Sequence, residues 1–345
     1  MTLVERVIQH RSLSIVGMAK NVGKTECLNY LLERLEEAGR RVALTSTGID
    51  GERAGQPADA REPGIRIHAG TLFVTTERHY RERRLVAEIL DVSDRQTALG
   101  RLVTARAVTA GRVLLSGPPD TRSLGEWIAD AARRGAEITL VEGALSRLSL
   151  ASPAVTGGVI LATGAAVSGS IRRVVQATRH VHDLMELEEV DEETRRKLSG
   201  IERGLHAIDD AGEVHDLHVP SAFLVEGHKE AILSRGATLF VAGAVSDALL
   251  RFLRGRREAA GITLVARDFT RVFASPGSCR DFLSGGGRLR VLSRCRLVAV
   301  CANPLAPGGY RLDADELLAA LREGLPGVPV YDIKRMDETC YSRKR

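Results

Sequence analysis

Aromatic residues are scarce, with one tryptophan, five tyrosines and seven phenylalanines making up 4% of 345 residues. Recognition of nucleic acid calls for a basic stripe interleaved with aromatic or groove-reading side chains. The net charge of +5 is instead dispersed, and only Ser342 to Arg345 and Arg81 to Arg84 form compact basic runs, the latter broken by Glu82. Both read as solvated surface, so no nucleic-acid partner is expected. The five cysteines (Cys27, Cys279, Cys295, Cys301 and Cys340) include no Cys-x-x-Cys pair. Their odd number and scatter exclude a disulfide framework and a zinc knuckle, and fit reduced thiols. No apolar run is long enough for a membrane span and no apolar signal segment opens the chain, so the expectation is a cytoplasmic protein without a membrane partner.

Aliphatic residues must therefore build the core, and at 44% hydrophobic content there are enough of them for two domains. The most informative stretch runs from Leu13 to Thr25. A β-branched apolar run ends in Gly17-Met18-Ala19-Lys20-Asn21-Val22-Gly23-Lys24-Thr25, and Cys27 to Leu35 then reads as a helix. Strand, glycine-bearing loop and helix N-terminus make an anion cradle. Backbone N–H groups and the helix dipole face phosphate, Lys24 adds a mobile positive charge, and the Thr25 hydroxyl can ligate Mg²⁺. Five residues rather than the common four separate Gly17 from Gly23. The expected ligands are ATP and Mg²⁺, with Gly17, Lys20, Asn21, Val22, Gly23, Lys24, Thr25 and Glu26 around the nucleotide.

Two acidic residues follow strands that should neighbour this loop. Asp50 comes directly after the strand Arg41 to Thr45, and Glu142 ends the short apolar run Glu137 to Gly143. Ligands in open parallel sheets sit beyond the carboxyl ends of strands, which makes Asp50 and Glu142 metal candidates beside Thr25, with Lys24 and Asp50 as the catalytic pair. The remaining pattern predicts a helix over Glu77 to Leu90, strands or a hairpin over Arg101 to Ser116, and a helix over Thr121 to Arg134 with Trp127 as a packing anchor. The predicted fold is a doubly wound, mostly parallel α/β sheet of the P-loop NTPase type with a second α/β unit. An acidic stretch from Glu186 divides residues 1–190 from residues 200–345, the latter a C-terminal α/β domain or an extension of the first sheet.

The long-spaced loop, an Asp after the next strand and a strand-ending Glu-Gly resemble the dethiobiotin synthetase branch of P-loop proteins over the first half of the chain. Those synthetases carry Lys-Pro after the second strand, where this chain has Thr45-Ser46-Thr47. A match over most of the chain is carried by Gly17 to Thr25, Ala43 to Glu52, Leu99 to Val103, Ser116-Gly117-Pro118 and Ala302-Asn303-Pro304. These blocks look like the small ATPase subunit of the lysine 5,6-aminomutase reactivase. That resemblance implies an ATP-dependent chaperone acting with a larger reactivase subunit on an adenosylcobalamin-dependent aminomutase, exchanging damaged cobalamin for intact coenzyme. The dethiobiotin synthetase likeness implies instead a ligase or kinase acting on a small molecule. A GTPase metallochaperone is disfavoured, because no Asn-Lys-x-Asp or Thr-Lys-x-Asp element for guanine is present.

Overall fold

The computed structural model describes residues 1–46, 65–144, 155–228, 232, 235–255, 261–332 and 334–335. Asp50, the Gly/Pro/Ala-rich loop after it and Cys340 lie outside the described residues. In chain order the elements are α1 (Leu3–Val7), β1 (Ser12–Gly17), α2 (Lys24–Glu37), β2 (Val42–Ser46), β3 (Arg66–Ile67), β4 (Leu72–Thr76) and α3 (Glu77–Arg81). They continue with β5 (Ala87–Thr97), β6 (Gly100–Ala107), β7 (Gly111–Arg112), α4 (Thr121–Arg133), β8 (Ile138–Ala144), β9 (Val159–Gly164) and α5 (Ile171–Met185). Next come β10 (Glu188–Glu189), α6 (Glu192–Leu198), β11 (Leu205–Ile208), β12 (Val214–Val219), β13 (Thr238–Val241), α7 (Asp247–Arg254), β14 (Thr263–Ala266), α8 (Pro276–Ser284) and β15 (Arg288–Val291). The chain closes with β16 (Leu297–Asn303), α9 (Ala314–Gly324) and β17 (Val330–Asp332).

Two compact units result, residues 1–178 with 296–345, and residues 179–295. The first holds a nine-stranded sheet in the order β17-β16-β9-β1-β8-β2-β4-β6-β5. Every pairing from β17 to β4 is parallel, and β6 and β5 add an antiparallel hairpin at one end. This is the expected mostly parallel α/β architecture. The second unit has its own sheet, β10-β15-β14-β13-β11-β12, in which β13, β14 and β15 run parallel and β11 and β12 antiparallel. Of the C-terminal half, residues 205–291 build this second sheet, whereas β16 and β17 return to the first.

Strand alternation explains how the first sheet is covered on both faces. Leu13 and Ile15 of β1, Val42 and Leu44 of β2 and Ile138 and Leu140 of β8 pack in one cluster with Cys27, Leu28, Leu31 and Leu35 of α2. The intervening residues face the other way: Ala43 meets Trp127 and Ala131 of α4, and Val141 meets Leu124. Trp127 is 8% exposed and its indole N–H donates to Thr104 Oγ1 at 3.1 Å, the anchor anticipated from sequence.

The helix expected over Glu77 to Leu90 is not formed. Only Glu77–Arg81 is helical, and Ala87–Thr97 is a strand paired with β6. Apolar residues at Leu85, Ile89 and Leu90 match a helical period, but Val86, Ile89 and Val92 are β-branched and suit a half-covered sheet edge. The hairpin turn fixes the outcome: Gly100 sits at φ 95°, a left-handed conformation that closes Thr97 onto Gly100. Of the pair of strands expected over Arg101 to Ser116, the first is β6, while the second shrinks to β7 paired with β3. Residues 113–118 run without regular structure beneath β2 and β4: Thr75 Oγ1 donates to the Leu114 carbonyl at 2.7 Å.

Candidate nucleotide site

The segment between β1 and α2 has the conformation that an anion cradle needs. Asn21 at φ 60° and Gly23 at φ 99° are both left-handed, so the chain turns back on itself before entering the helix. Asparagine and glycine are the residues that tolerate this. Gly23 is the N-cap of α2 and offers no side chain, and the first amide to find an intrahelical acceptor is that of Cys27, 3.0 Å from the Gly23 carbonyl. The N–H groups of Lys24, Thr25 and Glu26 thus head a fourteen-residue helix with its dipole behind them.

Lys24 folds back across the start of the loop. A Cβ on Gly17 would lie 2.7 Å from both Cγ and Cδ of Lys24 and 2.8 Å from Val22 Cγ1. Only glycine leaves room for this wrap, which holds the aliphatic stem of Lys24 inside the loop. The loop's entry is tied to its neighbours as well. Met18 N–H donates to the Ala162 carbonyl at 3.0 Å, and the Thr178 hydroxyl lies 3.4 Å from Met18 Sδ and 2.8 Å from Thr163 Oγ1.

Glu142 stands in the strand next to β1, close to this loop, and Asp50 lies outside the described residues. In the parallel registers Glu142 stands level with Ile15 of β1 and with Ser46 of β2. By alternation it continues the face of Ile138 and Leu140, the face that α2 covers, at the carboxyl end of the strand beside β1. Glu142 and Ser46, which shares its face and level, are half-buried oxygen donors suited to a hard cation. Thr25 and Glu26 lie in the first turn of α2, and Lys20 is exposed on the loop. The donor set therefore fits a triphosphate with Mg²⁺: Thr25 and Glu142 would hold the metal, and the loop amides and Lys24 the phosphates.

Sequence reasoning assigned no site role to Cys301, Ala302, Asn303 and Lys334, which form one wall of the cleft. Val22, Gly23 and Glu26 line it together with Cys301, Ala302 and Asn303 of β16 and Lys334. Asn303 accepts from the Leu305 amide at 3.1 Å, which orients its carboxamide, and its Nδ2 would stand 3.1 Å from a Cβ on Gly23. Asp332, 6% exposed, accepts from the amides of Lys334 (3.1 Å) and Arg335 (3.4 Å), and this turn carries Lys334 into the lining. The signal available was the Asn-Pro breaker at the end of an apolar run, which marks a strand end but not which strand lies next to the loop.

His215 Nε2 is 2.7 Å from Asp209 Oδ2, His180 bonds the Ala274 carbonyl, and no group of three metal-ligating side chains occurs among the described residues. Cys27, Cys279, Cys295 and Cys301 are buried free thiols. Among the described residues no helix is long and apolar enough to cross a membrane. No family model, curated protein or solved structure matches the chain.

Proposed function

We propose that this protein is the ATP-binding and ATP-hydrolysing subunit of a reactivase, which exchanges damaged cobalamin for intact adenosylcobalamin in an aminomutase of the lysine 5,6-aminomutase type. The observation that carries the ATP site is the wrap of Lys24 across Gly17 beneath a left-handed Asn21 and Gly23. A lysine folded over the loop at the head of a helix is well suited to the charge of a bound triphosphate. Thr25, Asp50 and Glu142 would manage Mg²⁺. The reactivase role rests on the motif resemblance, and it requires a larger partner subunit and an adenosylcobalamin-dependent aminomutase as client.

A switch suits this site better than phosphoryl transfer to a small acceptor. At the end of β2, where the dethiobiotin synthetases carry lysine, Thr45 is fully buried with its hydroxyl donating to the Ser46 carbonyl at 3.1 Å. Among the described residues no acceptor-activating base is offered there, and in a switch γ-phosphate contacts would order loops and their loss would release them. The test is reactivation of an aminomutase inactivated by turnover. Recovery should require this protein, its larger partner, Mg-ATP and fresh adenosylcobalamin together, and should fail with Lys24→Ala. Equal recovery without this chain would overturn the proposal and direct the search to a small-molecule phosphoryl acceptor.

A further inference from the structure

Cys27 and Cys301 place their sulfurs 3.4 Å apart across 274 residues of sequence. Cys27 belongs to the first turn of α2 and is fully buried, and Cys301 lies in β16 at 3% exposure. Two rigid elements that frame the candidate nucleotide site thus meet thiol to thiol. The second observation is that Cys301 is part of the lining of the cleft beside Val22, Gly23 and Asn303. A small oxidant entering that cleft comes up against Cys301, whose sulfur is already in contact with that of Cys27.

We propose that Cys27 and Cys301 are a redox modification site, closing to a reversible disulfide when a hydroperoxide of the size of hydrogen peroxide enters the cleft. The balance is two thiols plus one peroxide giving one disulfide and two waters. Cys301, after releasing its proton to solvent, attacks a peroxide oxygen; an S–O bond forms, the O–O bond breaks, and the departing hydroxide takes up a proton as the first water. The Cys27 sulfur then attacks the sulfenic sulfur; the S–S bond forms, the S–O bond breaks, and the leaving hydroxide takes the Cys27 proton as the second water. Each cysteine sulfur is oxidised by one electron and the peroxide is reduced by two. The hydrogen bond to Cys27 and then burial hold the Cys301 thiol well above the usual thiol range.

Bonding shortens the contact from 3.4 Å to about 2.05 Å and draws the first turn of α2 toward β16. Gly23, the N-cap of α2, faces Asn303 of β16 across this contact. The α2 N-terminus must shift, and with it the amides of the cradle. The effect on ligand binding rests on the ATP reading of the site; the cross-link itself does not.

The experiment treats the reduced full-length protein with hydrogen peroxide, alkylates the remaining thiols and digests with trypsin without reductant. The expected product joins the peptides 25–34 and 297–311, two hydrogens lighter than their sum, and dithiothreitol releases it. Cys27→Ser and Cys301→Ser, each checked for folding by circular dichroism, should both lack it. Unmodified or sulfinic Cys301 without a cross-link, under peroxide that oxidises the unfolded chain, would overturn the site. Calorimetry should then show Mg-ATP affinity at least tenfold weaker in the oxidised protein and restored by dithiothreitol. Cross-linked protein that binds Mg-ATP as tightly as reduced protein would overturn the coupling. Reduced protein that fails to bind Mg-ATP would sink the nucleotide reading and leave the cross-link to its own peptides.

Discussion

Gly17→Ala separates the role of the loop from that of its lysine. The added methyl would meet Lys24 Cγ and Cδ at 2.7 Å and Val22 Cγ1 at 2.8 Å, all inside contact distance. Gly17 is not one of the glycines held at positive φ, so alanine is acceptable to the backbone and the entire effect comes from overpacking. Overpacking a tight site costs about 1–3 kcal/mol, which lowers the melting temperature by a few degrees. The larger effect falls on binding, because the methyl expels the Lys24 stem from the loop. Losing a desolvated charge partner of phosphate costs about 2–5 kcal/mol, so Mg-ATP affinity should fall by roughly 30-fold to several thousand-fold. Lys24→Ala should lose the same affinity with little loss of stability, since its removal opens space. Titration calorimetry measures the affinity of both variants and scanning calorimetry their stability. Wild-type ATP affinity in Gly17→Ala would refute the wrapped-lysine reasoning, and wild-type affinity in Lys24→Ala would refute the phosphate site.

Glu142→Gln and Asp50→Asn should each impair hydrolysis and raise the Mg²⁺ concentration needed for it, while metal-free nucleotide binding survives; unchanged Mg²⁺ dependence would leave both residues without a metal role. Trp127→Phe should destabilise the first unit by about 1–2 kcal/mol in chemical denaturation, because the Thr104 hydroxyl loses the indole donor at 3.1 Å; no change would show that bond to be idle. Glu77 is held below its ordinary value of 4.5, first by the Arg101 amide and then by the Arg101 side chain. Its stabilising contribution is therefore complete above that pH and lost as pH falls through the lowered value, so Glu77→Gln should flatten the acid limb of the stability profile below pH 4.5 and leave the profile's shape above it unchanged.

Periodicity made the parallel core legible. The strands β1, β2, β8 and β9 are short apolar runs between breakers, and α2, α4 and α5 carry unambiguous helical stripes. The cradle was legible for a related reason: a motif whose mechanism is local, in a loop that has to turn left-handed at Gly23. What sequence hid was decided at long range. Ile89 and Leu90 fit a helix until Gly100 closes a hairpin and pairs them with β6, and tertiary pairing overrides a weak local preference. Asn303 and Lys334 join the site only because β16 pairs with β9, and no spacing within either segment announces that neighbour.

The return of β16 to the first sheet sets a timetable for synthesis. Gly23 leaves the ribosome roughly 280 residues before Asn303, a delay of about 15 to 60 s at ordinary elongation rates. For the last part of that interval, from the emergence of β9 (Val159–Gly164) until β16 follows, β9 has β1 on one side and nothing of its own chain on the other, so a parallel strand buried in the finished sheet stands as an open edge. The nascent protein therefore passes through a stage in which the loop between β1 and α2 exists without Asn303 beside it and its sheet invites foreign strands. Truncations ending before Leu297 would freeze that stage and should aggregate, whereas adding back residues up to the end of β17 should cure both defects at once.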